Sequence, residues 1–243
     1  MNTLSLSIII PAYNEESRLP SYLASILEYL EQKEISYEII VVDDGSHDST
    51  AEVVARFTLE NSRVQLIRLP HNRGKGYAVK AGMLKASGRL RLFADADGAT
   101  PISEFERLLK VVNSGADVAI ASRALRDATC TVNAHLHRKV IGAVFNFIVT
   151  ALTVKGIHDT QCGFKLFTAE AANMVFPLLR IDDFGFDVEI LFLCQQNGYR
   201  IAEVAVNWTD IAVSKVRLIR DSFQMFTDIF RIRLYELMGA YRH

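Results

Sequence analysis

Residues 90–97 read Leu-Arg-Leu-Phe-Ala-Asp-Ala-Asp, a short, mostly apolar run of strand character that ends in two carboxylates one residue apart, Asp95 and Asp97. Gly98 and the pair Thr100-Pro101 follow at once and close the run in a turn. Residues i and i+2 of an extended chain point the same way, so both carboxylates can face one hard cation. A divalent ion held by one or two carboxylates and completed by phosphate oxygens is the usual binding mode of Mg²⁺. The pair suggests a nucleotide-diphosphate site. Asp-x-Asp before glycine also occurs in plain solvated turns, and the surrounding sequence has to decide between the two.

Outward from this run, apolar stretches of strand length alternate with helical periodicity. Leu6 to Pro11, Tyr37 to Val42, Val64 to Leu69, Leu90 to Ala94 and Val118 to Ala121 read as strands. Between them, Leu19 to Leu30, Asp48 to Leu59, the stretch from Gly76 to about Ala86, and Ser103 to Val112 read as helices. The strands are continuously apolar rather than alternating, which implies a mostly parallel sheet covered by helices on both faces. Ligands of such sheets bind outside the carboxyl ends of the strands. There the sequence places Pro11-Ala12-Tyr13-Asn14-Glu15, Asp43-Asp44-Gly45-Ser46, His71-Asn72-Arg73-Gly74 and Asp95-Ala96-Asp97. Four polar clusters converge on one rim.

Composition removes several classes. The chain has 243 residues, half of them hydrophobic and 23% charged, which suits an ordinary globular protein with a sizeable core. A formal net charge of −1 argues against a general nucleic-acid binder. Cys130, Cys162 and Cys194 are widely spaced without a CxxC pair, and read as reduced thiols of a cytosolic compartment. The N-terminus has no basic region or cleavage site, so no signal peptide is expected. A dinucleotide fold would need G-x-G-x-x-G in the first strand-to-helix turn, which here reads Pro-Ala-Tyr-Asn-Glu-Glu-Ser. Gly74-Lys75-Gly76 lacks the third glycine and is not followed by the Ser or Thr of a Walker loop.

With those excluded, the chain resembles the family 2 glycosyltransferases of the GT-A fold, through residues 8–15, 41–50, 72–76 and 95–100 in this order and spacing. The second half is similar to the dolichyl-phosphate β-glucosyltransferase branch, kin of the polyprenyl-phosphate mannose synthases. That likeness rests on Asp159-Thr-Gln-Cys-Gly-Phe-Lys-Leu-Phe167, Phe186-Asp-Val-Glu189, Val206-Asn-Trp-Thr and Ser214-Lys215. The resemblance implies an α/β GT-A domain over residues 1–212, with a nucleotide-sugar half at 1–122 and an acceptor half at 123–212, and a C-terminal amphipathic segment at 213–243. It implies glucose transfer, with inversion, from UDP-glucose to a polyprenyl phosphate at the cytoplasmic face of a membrane.

Position by position, the resemblance sets Pro11, Ala12, Tyr13, Asn14 and Glu15 against the nucleotide, and Asp44 with Asp43 on the base. Arg73 and Gly74 then lie near uracil or phosphate, and Asp95, Ala96 and Asp97 at the diphosphate, with Asp95 and Asp97 on Mg²⁺ or Mn²⁺. Some mannose synthases place Gln two residues after the second aspartate; position 99 here is Ala, so water or phosphate must complete the metal shell. Arg123, Arg138 and Lys215 are the cations for two anionic groups brought together, Arg138 on the acceptor phosphate and Lys215 on the donor diphosphate. Asp159 orients sugar or acceptor. Each has a plainer reading: Tyr13 as a rim aromatic, Asp43-Asp44-Gly45-Ser46 as a turn and cap, the cations as solvated surface charges. Glu15, Asp187 and Glu189 likewise read as charges at helix N-termini.

Two segments bear on the acceptor. Val140 to Val154 is apolar apart from Asn146, Thr150 and Thr153, but its fifteen residues fall short of the roughly 20 needed to span a bilayer. Val216 to Tyr241 interleaves apolar residues with Arg217, Arg220, Arg231 and Arg233, the pattern of a basic amphipathic helix. Such helices commonly just pack on a core; in a lipid-phosphate transferase, peripheral membrane contact is the expectation. Two alternatives stay open: a same-fold transferase using another sugar nucleotide, such as GDP-mannose, or a hydroxyl acceptor deprotonated by Asp187 or Asp159, and a non-catalytic nucleotide-sugar-binding protein.

Overall fold

A computed structural model of the chain describes residues 4–133, 153–211 and 218–241. Strands β1 (Leu6–Ala12), β2 (Tyr37–Asp43), β3 (Val64–Arg68), β4 (Leu90–Ala94) and β5 (Val118–Ser122) appear where the apolar runs predict them. Helices α1 (Leu19–Glu31), α2 (Thr50–Glu60), α3 (Lys75–Lys85) and α4 (Phe105–Asn113) fill the intervals. Later in the chain come β6 (Val132–Asn133), β7 (Phe164–Thr168), α5 (Ala169–Val175), α6 (Phe186–Gln196), β8 (Ile201–Ala205), β9 (Trp208–Thr209) and α7 (Leu218–Leu237).

Seven strands form one sheet in the order β3-β2-β1-β4-β7-β5-β8. All run parallel except β7, which is antiparallel to both of its neighbours. The insertion of β7 between β4 and β5 joins residues from both halves of the chain in one core. Its second residue, Lys165, is charged and fully buried.

The side chains of β1 show why both faces must be covered. Leu6, Ile8, Ile10 and Ala12 face a cluster with Leu19, Leu23 and Ile26 of α1 and Phe105 and Leu108 of α4. Ile9 faces the opposite cluster, with Ala78, Val79 and Met83 of α3. Each fully buried side chain of this kind contributes about 1.5–3 kcal/mol. Helix α3 lies so close that a Cβ at Gly82 would sit 2.5 Å from Ile9 Cγ2.

Helix α7 packs Ile229 and Ile232 into the α3 side of the core. Beyond it, Tyr241 Oη donates to Glu189 Oε1 at 2.6 Å, and the same carboxylate accepts the Arg180 and Ile181 amides. Glu189 therefore ties the C-terminal segment to α6. Tyr241→Phe removes one donor from this buried carboxylate, and urea unfolding is expected to show a loss of about 1–2 kcal/mol with an unchanged m-value.

Candidate functional site

The carboxyl ends of β1, β2 and β4 meet at one rim because the strands are parallel and in register, with Ala12 opposite Asp43. The turn after β1 is locked to the turn after β2. Asn14 takes a left-handed φ of 54°, its amide donates to Ser46 Oγ at 2.9 Å, and its side-chain oxygen accepts the His47 amide at 2.8 Å. Asparagine tolerates that φ better than other side chains. The Glu15 amide donates to Thr50 Oγ1, and Tyr13 sets its ring edge-on to His47 at 6.3 Å.

Asp44 has a definite task here. Its two oxygens accept the amides of Arg73 at 2.7 Å and Gly74 at 2.9 Å, so it holds the loop between β3 and α3 against β2. Burial raises its pKa despite these two donors. Asp43 accepts the Ser46 amide and makes the turn that the plainer reading of Asp43-Asp44-Gly45-Ser46 describes. Arg73 lies over the Tyr77 ring at 3.8 Å. Gly74 has φ 102°, and a Cβ there would meet the Asp182 carbonyl oxygen at 2.5 Å, so only glycine fits the start of α3.

Asp95 and Asp97 leave the end of β4 side by side with Ala96. The Asp95 amide donates to the Gly163 carbonyl at 2.9 Å, and a Cβ at Gly163 would lie 2.0 Å from Asp95 Oδ2. Lys75 Nζ stands 2.7 Å from the other oxygen, Oδ1. Asp97 Oδ1 accepts the Ala99 amide at 3.0 Å, and Oδ2 lies 3.9 Å from Arg18, whose guanidinium is forked onto Glu15. Burial raises the Asp97 pKa, and the neighbouring charge of Asp95 adds to the rise. A cation between the two would relieve that repulsion, so an all-oxygen donor pair of this charge fits a hard divalent ion. Among the described residues no group of three or more His, Cys, Asp or Glu side chains could hold a metal, so phosphate or water would have to complete the shell.

The remaining acidic candidates are buried and paired. Asp159 takes the Arg123 guanidinium in a fork at 2.7 and 2.8 Å and also accepts the Arg123 amide. Burial acts to raise the Asp159 pKa, but Arg123 outweighs it and holds the carboxyl below its usual range. Asp187 is ion-paired with Lys165, whose ammonium also donates to the Cys162 carbonyl at 2.8 Å. Arg123 and Asp159 thus act as one unit, and Asp187 serves a buried pair rather than only a helix end. The sequence does not single out Lys75, Lys165, Arg18 or Gly163 as site residues, although Lys75, Gly163 and Lys165 sit inside motifs quoted above for other residues. Arg138, Lys215 and most of the apolar segment at 140–154 lie outside the described residues.

Residues 7–176 match the family described as glycosyl transferase family 2. The chain is 44% identical to a dolichyl-phosphate beta-glucosyltransferase of Dictyostelium discoideum, with 100% of this chain and 78% of that protein covered. Identity is 42% to the enzyme of that name from Homo sapiens, over 99% of this chain and 78% of the relative. Among solved structures, glucosyl-3-phosphoglycerate synthase from Mycobacterium tuberculosis with Mg²⁺ and UDP superposes with a TM-score of 0.71 at 19% identity, covering 94% of this chain and 79% of that one. Its complex with Mn²⁺ and UDP-glucose gives 0.71 at 18%, with the same coverage. At such identity the likeness is one of fold, and it bears out the expected GT-A class.

Breaking one partner of a fully buried ion pair leaves an uncompensated charge, at a cost of about 3–5 kcal/mol. Lys165→Met is expected to destabilise by that amount in chemical denaturation. The double change Lys165→Met with Asp187→Leu should recover most of it.

Proposed function

The chain belongs to glycosyl transferase family 2, and on that premise we propose that it transfers glucose, with inversion, from UDP-glucose to a polyprenyl phosphate of the dolichyl type. The observation that carries this choice of acceptor is the commitment of Asp159 to Arg123 and of Asp187 to Lys165. A hydroxyl acceptor needs a carboxylate to take its proton, and these two, the candidates for that task, are buried and engaged. A phosphate monoester needs no such base, because its second pKa lies near 6 and it is already largely ionised at neutral pH.

In this reading an acceptor phosphate oxygen attacks the anomeric carbon, the bond from that carbon to the diphosphate breaks, and UDP leaves. Asp95 and Asp97 would hold Mg²⁺ or Mn²⁺, which when bound neutralises charge growing on the departing diphosphate. The chain's own part is orientation and charge. The Asp44-braced loop presents Arg73 to the nucleotide, while Lys75 and Arg18 flank the two carboxylates. Arg138 and Lys215 remain the candidates for the acceptor and donor phosphates.

Membrane contact belongs to the same proposal. Among the described residues no helix is long and apolar enough to cross a membrane. Helix α7, however, is apolar on two sides. Opposite its packed face it exposes Phe226, Phe230, Leu234 and Leu237 at helical spacing, the last 84% exposed. An apolar stripe of this kind beside Arg231 and Arg233 suits docking at a lipid interface, where a polyprenyl phosphate resides.

Purified protein is to be given polyprenyl phosphate in vesicles, labelled UDP-glucose or GDP-mannose, and Mg²⁺ or Mn²⁺. The expected product is an acid-labile glucolipid formed from UDP-glucose alone, reduced about 10²-fold or more by Asp97→Ala. Phe230→Glu should raise the apparent KM for the vesicle-borne acceptor and leave nucleotide affinity unchanged. Transfer to a soluble hydroxyl acceptor, or full activity of Asp97→Ala, would overturn the reading.

A further inference from the structure

Each oxygen of Asp95 has a protein group beside it, although the side chain is one-third exposed. On one side stands the backbone of Gly163, so close that a Cβ would lie 2.0 Å from Oδ2. On the other is the Lys75 ammonium, 2.7 Å from Oδ1. That ammonium is also confined, lying 5.3 Å from the Phe93 ring centre and 5.9 Å from that of Phe184. Lys75 is the first residue of α3, directly after Arg73 and Gly74, whose amides Asp44 holds. One short loop therefore links the residues assigned to the nucleotide with the carboxylate assigned to the metal.

Two cations cannot take one carboxylate oxygen without repelling each other, and a divalent ion arriving at Asp95 meets Lys75 on Oδ1. We propose that Lys75 competes with the divalent cation for Asp95, and that a nucleotide diphosphate relieves the competition by offering the ammonium other oxygens. Metal uptake is thereby tied to arrival of the donor. The proposal rests on the reading that Asp95 and Asp97 hold the metal. It makes Lys75 a positioning residue whose loss changes the order of binding: the cation alone gains affinity for the carboxylates, and the mutual assistance between cation and nucleotide shrinks on both sides by the same factor.

Mn²⁺ binding can be followed by the loss of its free-ion electron paramagnetic resonance signal, for the wild-type protein, Lys75→Met and Lys75→Arg, each with and without saturating UDP. The expected result is Mn²⁺ binding to Lys75→Met without UDP about tenfold tighter than to wild type, equivalent to about 1.4 kcal/mol. The gain in affinity on adding UDP should be smaller by the same factor. Lys75→Arg, which keeps the charge, should behave as wild type does. Should Lys75→Met fail to fold, as judged by circular dichroism, Lys75→Gln is read by the same criterion. Equal or weaker metal binding by the neutral variant, with UDP-dependent Mn²⁺ binding intact in the wild type, overturns the competition while leaving the metal site standing. No Mn²⁺ binding to the wild type even with UDP overturns the metal site and the competition together.

Discussion

Compensation of buried negative charge is the constraint on which the site depends. Asp95, Asp159 and Asp187 crowd the region where β4 and β7 lie side by side, and each faces its own cation: Lys75, Arg123 and Lys165. At the neighbouring turn Glu15 is matched by Arg18. Buried pairs of this kind add little net stability, because desolvation offsets most of the Coulomb attraction. What they provide is position. With Asp159 and Asp187 satisfied internally, Asp95 and Asp97 stand partly exposed at the end of β4, each within reach of a cation.

Backbone close approach sets the same geometry from the other side. Gly163 lets the chain before β7 run against Asp95, and Gly74 lets the loop before α3 lie on the Asp182 carbonyl. The antiparallel strand β7 thereby delivers two things at once. It brings Lys165 beneath Asp187, and it brings the Gly163 carbonyl to the Asp95 amide.

Much of this was legible in the sequence. The apolar runs gave β1 to β5 nearly to the residue, because strands of a sheet covered by helices are mostly apolar. The rim clusters followed from the rule that ligands bind beyond the carboxyl ends of parallel strands. Neither the antiparallel sense of β7 nor its place between β4 and β5 is written in its five residues, and the partner that makes its buried lysine tolerable, Asp187, lies 22 residues away. The pairing of Asp159 with Arg123 is hidden because the two stand 36 positions apart in the chain. Spacing reports what shares a helix face or a strand edge, whereas ion pairs across elements exist only once the sheet has formed. Asp44 shows a related limit: its motif marks it as a site residue, but its grip on the Arg73 and Gly74 amides is a tertiary fact.

The central claim is that Asp95 and Asp97 form the seat for the metal and the donor diphosphate. Anomalous diffraction from crystals grown with Mn²⁺ and UDP tests it most directly. The account predicts a single strong manganese peak between the two carboxylates, bridged to the diphosphate, with Lys75 withdrawn from Asp95 Oδ1. Ordered UDP whose manganese lies elsewhere, or a diphosphate remote from both aspartates, would contradict it.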